Sequence, residues 1–317
     1  MKSRVLTLAL LLPLIGESSL WGQGLTSAET PLAIATVMSD SLVLEWQPAP
    51  LESDHAFDHF ITPVTNPVFF EDPRALTELR FLFINQLIPE NNPVLRGGDF
   101  QVYAMQVRVA LNERWSFIAV KDGLITLQPD ATLHDEQGFA DVALGFKYTW
   151  LRDPLRTYVS AIGLTYEIDL GSHRVLQGQG DGIWNPFVSA ALEIIPGFHY
   201  VTNLTFRLPN NTSENSQLFI WSHHWDYQWT ERFYPLIEWH WYHWLRSGNQ
   251  VPFSFEGGDL VNLGSADVAG NDIITLALGF RYKFSEQSQL GFGYEFPITN
   301  RRDVLDERLT LDFIVRY

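Results

Sequence analysis

The chain has no cysteine among its 317 residues, which excludes disulfide scaffolds, zinc fingers, iron–sulfur centres and thiol nucleophiles. Basic residues are scarce: 21 Lys and Arg stand against 37 Asp and Glu, a formal net charge of −16. A balance of that sign argues against nucleic acid or an anionic membrane surface as the main partner. Charged residues make up only 18% and aromatics reach 14%, a composition too apolar for a disordered chain. Beyond the N-terminus no run of about 18 apolar residues occurs, so no membrane-crossing helix is available there. Soluble β-rich domains and membrane β-barrels remain.

The N-terminus reads as an export signal. Lys2 and Arg4 form a positive region, residues 5–15 an apolar stretch, and residues 16–24 a small and polar segment suited to cleavage. The expected organisation is a cleaved signal peptide over residues 1–23, a proline-rich extension over 24–77, periplasmic or acting as a plug, and a barrel over 78–317. In the extension Pro48, Pro50, Pro63, Pro67 and Pro73 would interrupt any long strand.

From residue 78 the texture becomes alternation. Leu276, Leu278, Phe280, Tyr282 and Phe284 share one face, while Thr275, Ala277, Gly279, Arg281 and Lys283 share the other. A period of two is a β-strand. The same pattern predicts about twelve strands, at 78–87, 99–111, 114–121, 138–150, 155–169, 185–195, 197–208, 216–229, 231–246, 271–284, 287–297 and 307–317. Most reach the roughly 9–11 tilted residues that cross a bilayer. Every second connection is very short, as at Asn112-Glu113, Pro196, Thr230 and residues 285–287, whereas the others, among them 122–137 and 247–270, are long. Such parity predicts an all-β, up-and-down antiparallel transmembrane β-barrel with tight turns at one end and long loops at the other.

Trp115, Trp150, Trp229, Phe284 and Tyr317 all fall beside the short turns, where an interfacial aromatic girdle belongs. The last strand alternates through Phe313 and Val315 to a terminal Tyr317, which resembles the signal by which the outer-membrane assembly machinery recognises its barrels. Segments such as Gly138-Phe-Ala-Asp-Val-Ala-Leu-Gly-Phe-Lys-Tyr148 and Leu276-Ala-Leu-Gly-Phe-Arg-Tyr-Lys-Phe284 resemble outer-membrane transporters grouped under the meta-pathway of phenol degradation. The resemblance implies an outer-membrane location and passive uptake. It carries no diagnostic residue.

Alternation nominates pore-lining residues: Asp141, Lys147, Glu167, Asp169, Arg281, Lys283, Glu295 and Asp312. A polar cluster, His224, Asp226, Glu238 and His240, falls on the lumen face of two neighbouring strands. It reads as a hydrogen-bond ladder, with a divalent metal site as the alternative. No metal or cofactor is expected. Ser222 and His223 point to opposite faces, so the Ser–His pair of an outer-membrane lipid hydrolase is not expected. The expected function is a porin-like passive channel or transporter for small solutes, hydrophobic or aromatic ones among them, with outer-membrane lipid and the assembly machinery as partners. A non-conducting structural or adhesive barrel is the alternative.

Overall fold

The computed structural model describes residues 51–317, so the signal peptide expected at 1–23 and the start of the extension lie outside the described residues. The strands are β1 (Glu78–Leu87), β2 (Gly98–Ala110), β3 (Trp115–Lys121), β4 (Leu124–Pro129), β5 (Glu136–Phe139), β6 (Val142–Asp153), β7 (Tyr158–Ile168), β8 (Ile183–Ile195), β9 (Phe198–Pro209), β10 (Gln217–Tyr227), β11 (Phe233–Arg246), β12 (Asp272–Lys283), β13 (Ser288–Pro297) and β14 (Glu307–Arg316). All join one antiparallel sheet, which closes because β1 pairs with both β14 and β2.

Fourteen segments make a twelve-strand barrel. β3 and β4 both pair with β2 and are one strand broken at Asp122-Gly123, while β5 and β6 are one strand broken at Ala140-Asp141. The connection expected over 122–137 is therefore largely strand, and its loop shrinks to residues 130–135. Asp122-Gly123 looks like turn chemistry in sequence, and pairing with β2 on both sides overrides it.

Alternation assigns the faces. In β6, Leu144, Phe146 and Trp150 are exposed on the outer wall, while Ala143, Lys147 and Thr149 are buried inside. Phe81, Ile162, Val188, Ile237 and Leu278 continue the outer apolar belt that hydrocarbon requires. Trp115, Trp150, Trp229, Phe284 and Tyr317 all face outward beside the short turns.

Candidate functional site

The lumen is filled by the chain's own extension. Residues 51–77 enter beside the C-terminus, where Ser53 N–H donates to the Tyr317 carbonyl at 3.1 Å, and fold back so that Asp54 N–H meets the Ala75 carbonyl at 2.8 Å. Pro63, Pro67 and Pro73 interrupt regular pairing over this stretch. Its carbonyls are left for the barrel wall to satisfy, and the wall does so with cations: Arg80 donates to Pro63 and Val64, Arg281 to Thr62, Lys147 to Asp72 and Lys283 to Asp58. Glu71, on the strap itself, pairs with Arg108 at 2.6 Å and Lys147 at 2.8 Å. Asp312 bridges Arg80 and Arg281. Buried charges persist only when paired and hydrogen-bonded in this way.

A ladder of imidazoles and carboxylates continues the clasp across β9, β10 and β11. His199 meets Asp226 at 2.7 Å, His224 spans Asp226 at 2.9 Å and Glu238 at 2.7 Å, and Glu238 accepts the Val64 and Thr65 N–H groups at 2.7 Å each. The Thr65 hydroxyl lies between Glu238 and His240, and His240 reaches Ser222 at 2.9 Å. The four side chains nominated from sequence thus meet, together with His199, which alternation along β9 placed inward but no cluster motif picked out. Among the described residues no three such groups converge as a metal ion requires. Ser222 and His240 do pair, but both are sealed inside the wall behind Asn66 of the strap.

Of the residues nominated as pore-lining, Asp141, Lys147, Glu167, Arg281, Lys283, Glu295 and Asp312 are buried inside the barrel. Each is engaged: Glu167 with Lys121 and Arg207, Glu295 with Arg308, Asp141 with the Gly171 and Gly178 N–H groups. Asp169 is the exception. It lies just beyond the end of β7 and is exposed, because alternation holds a side chain to one face only while the strand remains paired. Arg156 likewise sits in a short turn and points to solvent.

The outer half of the lumen differs between its two sides. Along β1, β2 and β4 the inward side chains are Leu82, Ile84, Phe100, Val102, Ile125 and Leu127, all buried. From above, the β11–β12 loop brings Phe255, Leu260, Val261 and Leu263 onto them in one apolar cluster. The sequence carried this signal. Residues 81–84, Phe-Leu-Phe-Ile, are apolar on both faces, and inside a barrel that means an apolar lumen on that side.

Two cavities lie within the cluster. One, between Ile88, Leu95, Phe100, Leu127, Leu176, Leu260, Val261 and Leu263, faces the loops and measures about 10 Å³. The other, about 20 Å³, lies deeper between Leu82, Ile84, Val102, Ala104, Val120, Ile125, Ala140 and Leu260, beside the strap's Pro67 and Val68. Each is about water-sized.

The deeper cavity abuts a flaw in the wall. β2 pairs with β4 up to Tyr103 and with β3 from Val107 onward, and the residues between lack the regular ladder. Side chains substitute: Asp122 accepts the Met105 N–H at 2.9 Å, and the Gln106 amide donates to Val120 and Pro67. Gly123 adopts φ +110°, and a Cβ there would lie 2.3 Å from the Tyr103 carbonyl oxygen, so this crossing of the two strands admits only glycine. The neighbouring break at Ala140-Asp141 lies against it, with Ala140 N–H donating to the Gly123 carbonyl. Three adjacent strands are thus pinched at one level, and Asp122 and Lys121 line the cavity just inside.

On the loop side, Glu256 is buried without a cation and accepts the N–H groups of Gly257, Leu263 and Ser265. Burial pushes its carboxyl above the usual range despite these bonds. Asp303, which accepts the Glu256 N–H at 2.9 Å, is pushed up to about 6, because burial outweighs the adjacent Arg301.

Comparison with solved structures fits this architecture. The COG4313 outer membrane channel from Pseudomonas putida F1 superposes with a TM-score of 0.56, covering 81% of this chain and 100% of that one at 12% identity. The two chains share a fold. The NanC porin covers 76% of this chain and 99% of its own at a TM-score of 0.47 and 10% identity, and the KdgM porin does so at 0.42 and 7%. No protein-family model and no curated protein matches the sequence. The likeness establishes the fold, a closed twelve-strand antiparallel β-barrel, and what the barrel carries is a separate question.

Proposed function

We propose that this barrel is a passive transporter for small apolar or aromatic solutes, which enter from the loop side and leave sideways through the pinched wall between β2, β3/β4 and β5/β6. The observation that carries the reading is the pair of apolar cavities ending at a gap in the ladder, while the axial lumen is filled with clasped charges. An ion travelling the axis would have to displace a strap held by paired buried charges. An apolar solute travelling the side route meets chiefly apolar side chains, passes Gln106, Lys121 and Asp122 at the flaw, and ends in hydrocarbon, where it is most stable. The segments that resemble meta-pathway transporters are in keeping with an aromatic solute.

The test has two arms. In planar bilayers the purified full-length chain should pass little ion current, and cells producing it should take up radiolabelled naphthalene faster than cells without it. A large, steady conductance with no gain in naphthalene uptake would favour an axial porin, and neither activity would favour a structural barrel.

A further inference from the structure

The connection between β11 and β12, residues 247–271, does not run over the surface as loops generally do. It folds around the Glu256 carboxylate and dips into the mouth, so that Leu260, Val261 and Leu263 form the ceiling of the outer cavity. Beside Gly257 and Gly258 it carries Asp259, whose two oxygens meet Arg308 of β14 at 2.7 and 2.9 Å in a buried bidentate pair. The next residue, Leu260, lines both the outer and the deeper cavity and stands between them, its carbonyl held by the Gln177 amide at 3.0 Å.

We infer that residues 247–271 are the entry gate of the apolar route, with Asp259–Arg308 as its latch and Leu260 as the stopper between the two cavities. The gate rests on the side-route reading for its purpose, but its mechanics are independent of where the solute leaves. A small neutral apolar molecule reaching the mouth meets the loop's Leu260, Val261 and Leu263 and cannot pass to the inner cavity until the loop lifts or the Leu260 side chain turns. Arg308 also holds Glu295 at 3.4 Å and the Gln86 side-chain oxygen at 2.5 Å. Neutralising Asp259 therefore weakens the latch without leaving a bare buried guanidinium.

The absence of native cysteine makes the gate directly readable. A single cysteine is placed in the outer cavity, Leu127→Cys, or in the inner one, Val120→Cys, and the rate of N-ethylmaleimide labelling is followed by mass spectrometry on full-length protein in detergent. Asp259→Asn should speed labelling at both positions by about tenfold, the scale of one lost charge-assisted bond. Leu260→Ala should speed Val120→Cys well beyond Leu127→Cys. Glu295→Gln, which takes a wall carboxylate from the same arginine without touching the loop, should leave both rates within about twofold. Equal rates with and without Asp259, equal acceleration by Glu295→Gln, or equal acceleration of both cysteines by Leu260→Ala would each overturn the gate. Because no bilayer is present, an error about the lateral exit would leave these rates unchanged.

Discussion

The two sides of the inner wall solve opposite problems. From β9 through β14 the inward face carries Arg207, Glu238, His240, Arg281, Glu295, Arg308 and Asp312, each paired with a neighbour or with the strap, alongside an apolar patch of Leu218, Ile220, Tyr242, Trp244 and Ile273 packed on Phe69. Across the outer half of β1, β2 and β4 it is built of Leu82, Ile84, Phe100, Val102, Ile125 and Leu127, with Gln86 at the end of β1 bonded to Arg308 and to the Val304 carbonyl. The charged side is closed by many mutually dependent bonds, so opening it would strand buried charges. The apolar side is closed by contacts that can slide, beneath a loop held by the Asp259–Arg308 pair and the Gln177 bond to Leu260. What distinguishes the two sides is the cost of opening, and the wall is flawed on the side where that cost is low.

The comparison breaks most visibly at Glu71. Glu71→Ala takes the carboxylate shared by Arg108 and Lys147 and leaves Arg108 only Glu78 at 3.5 Å, a change expected to cost about 3–5 kcal/mol. It should lower the urea midpoint of the folded barrel and raise ion conductance in planar bilayers. Phe100→Ala sharpens the contrast. Truncating this buried ring should cost about 3 kcal/mol, yet widen the apolar cavities, so naphthalene uptake should rise with conductance unchanged. If Phe100→Ala raised conductance as Glu71→Ala does, the two sides would not be functionally distinct.

A smaller effect is expected from pH at the gate. Asp303, held near 6 by burial, binds its proton more tightly in the closed loop than when released. Its contribution to closure is therefore complete at pH values below the ordinary carboxylate range and is lost as pH rises through about 6. Labelling of Leu127→Cys, corrected for the reagent's own pH dependence, should quicken between about pH 5 and pH 7, and Asp303→Asn should flatten that rise. Glu256, shifted in the same direction, adds to it. Least of all should come from Arg156→Ala in a short turn. Its pair with Asp153 is open to solvent at 3.6 Å, and the urea midpoint should change by no more than about 0.5 kcal/mol permits.

Much of this fold could be read from the sequence because a barrel writes its topology locally. Alternation from Leu276 to Phe284 and the single-residue spacer at Pro196 give strand, face and turn without knowledge of partners. The strap could not be read in that way. Val64 is held by Glu238, distant in the chain, and proline removes the periodicity that would reveal a buried segment. The wall flaw was hidden for a related reason. Asp122-Gly123 has the composition of a turn, and only pairing of both flanking segments with β2 shows that the chain continues straight. The His224–Glu238 contact was legible because a shared face and neighbouring strands suffice to bring the two together, whereas the part of Thr65 in the ladder depends on the strap.

The most direct measurement concerns the flaw itself. The Asp122 carboxylate accepts the Met105 backbone N–H across it at 2.9 Å. In the cysteine-free chain, Met105→Cys with Asp122→Cys should form a disulfide that fastens the wall, and initial uptake of radiolabelled naphthalene by intact cells can be followed before and after reduction. Uptake should fall toward that of cells lacking the protein when the bond is closed and return on reduction, with ion conductance unaffected throughout. Uptake that stays at the unmodified level with the disulfide fully formed would contradict a lateral exit at this site.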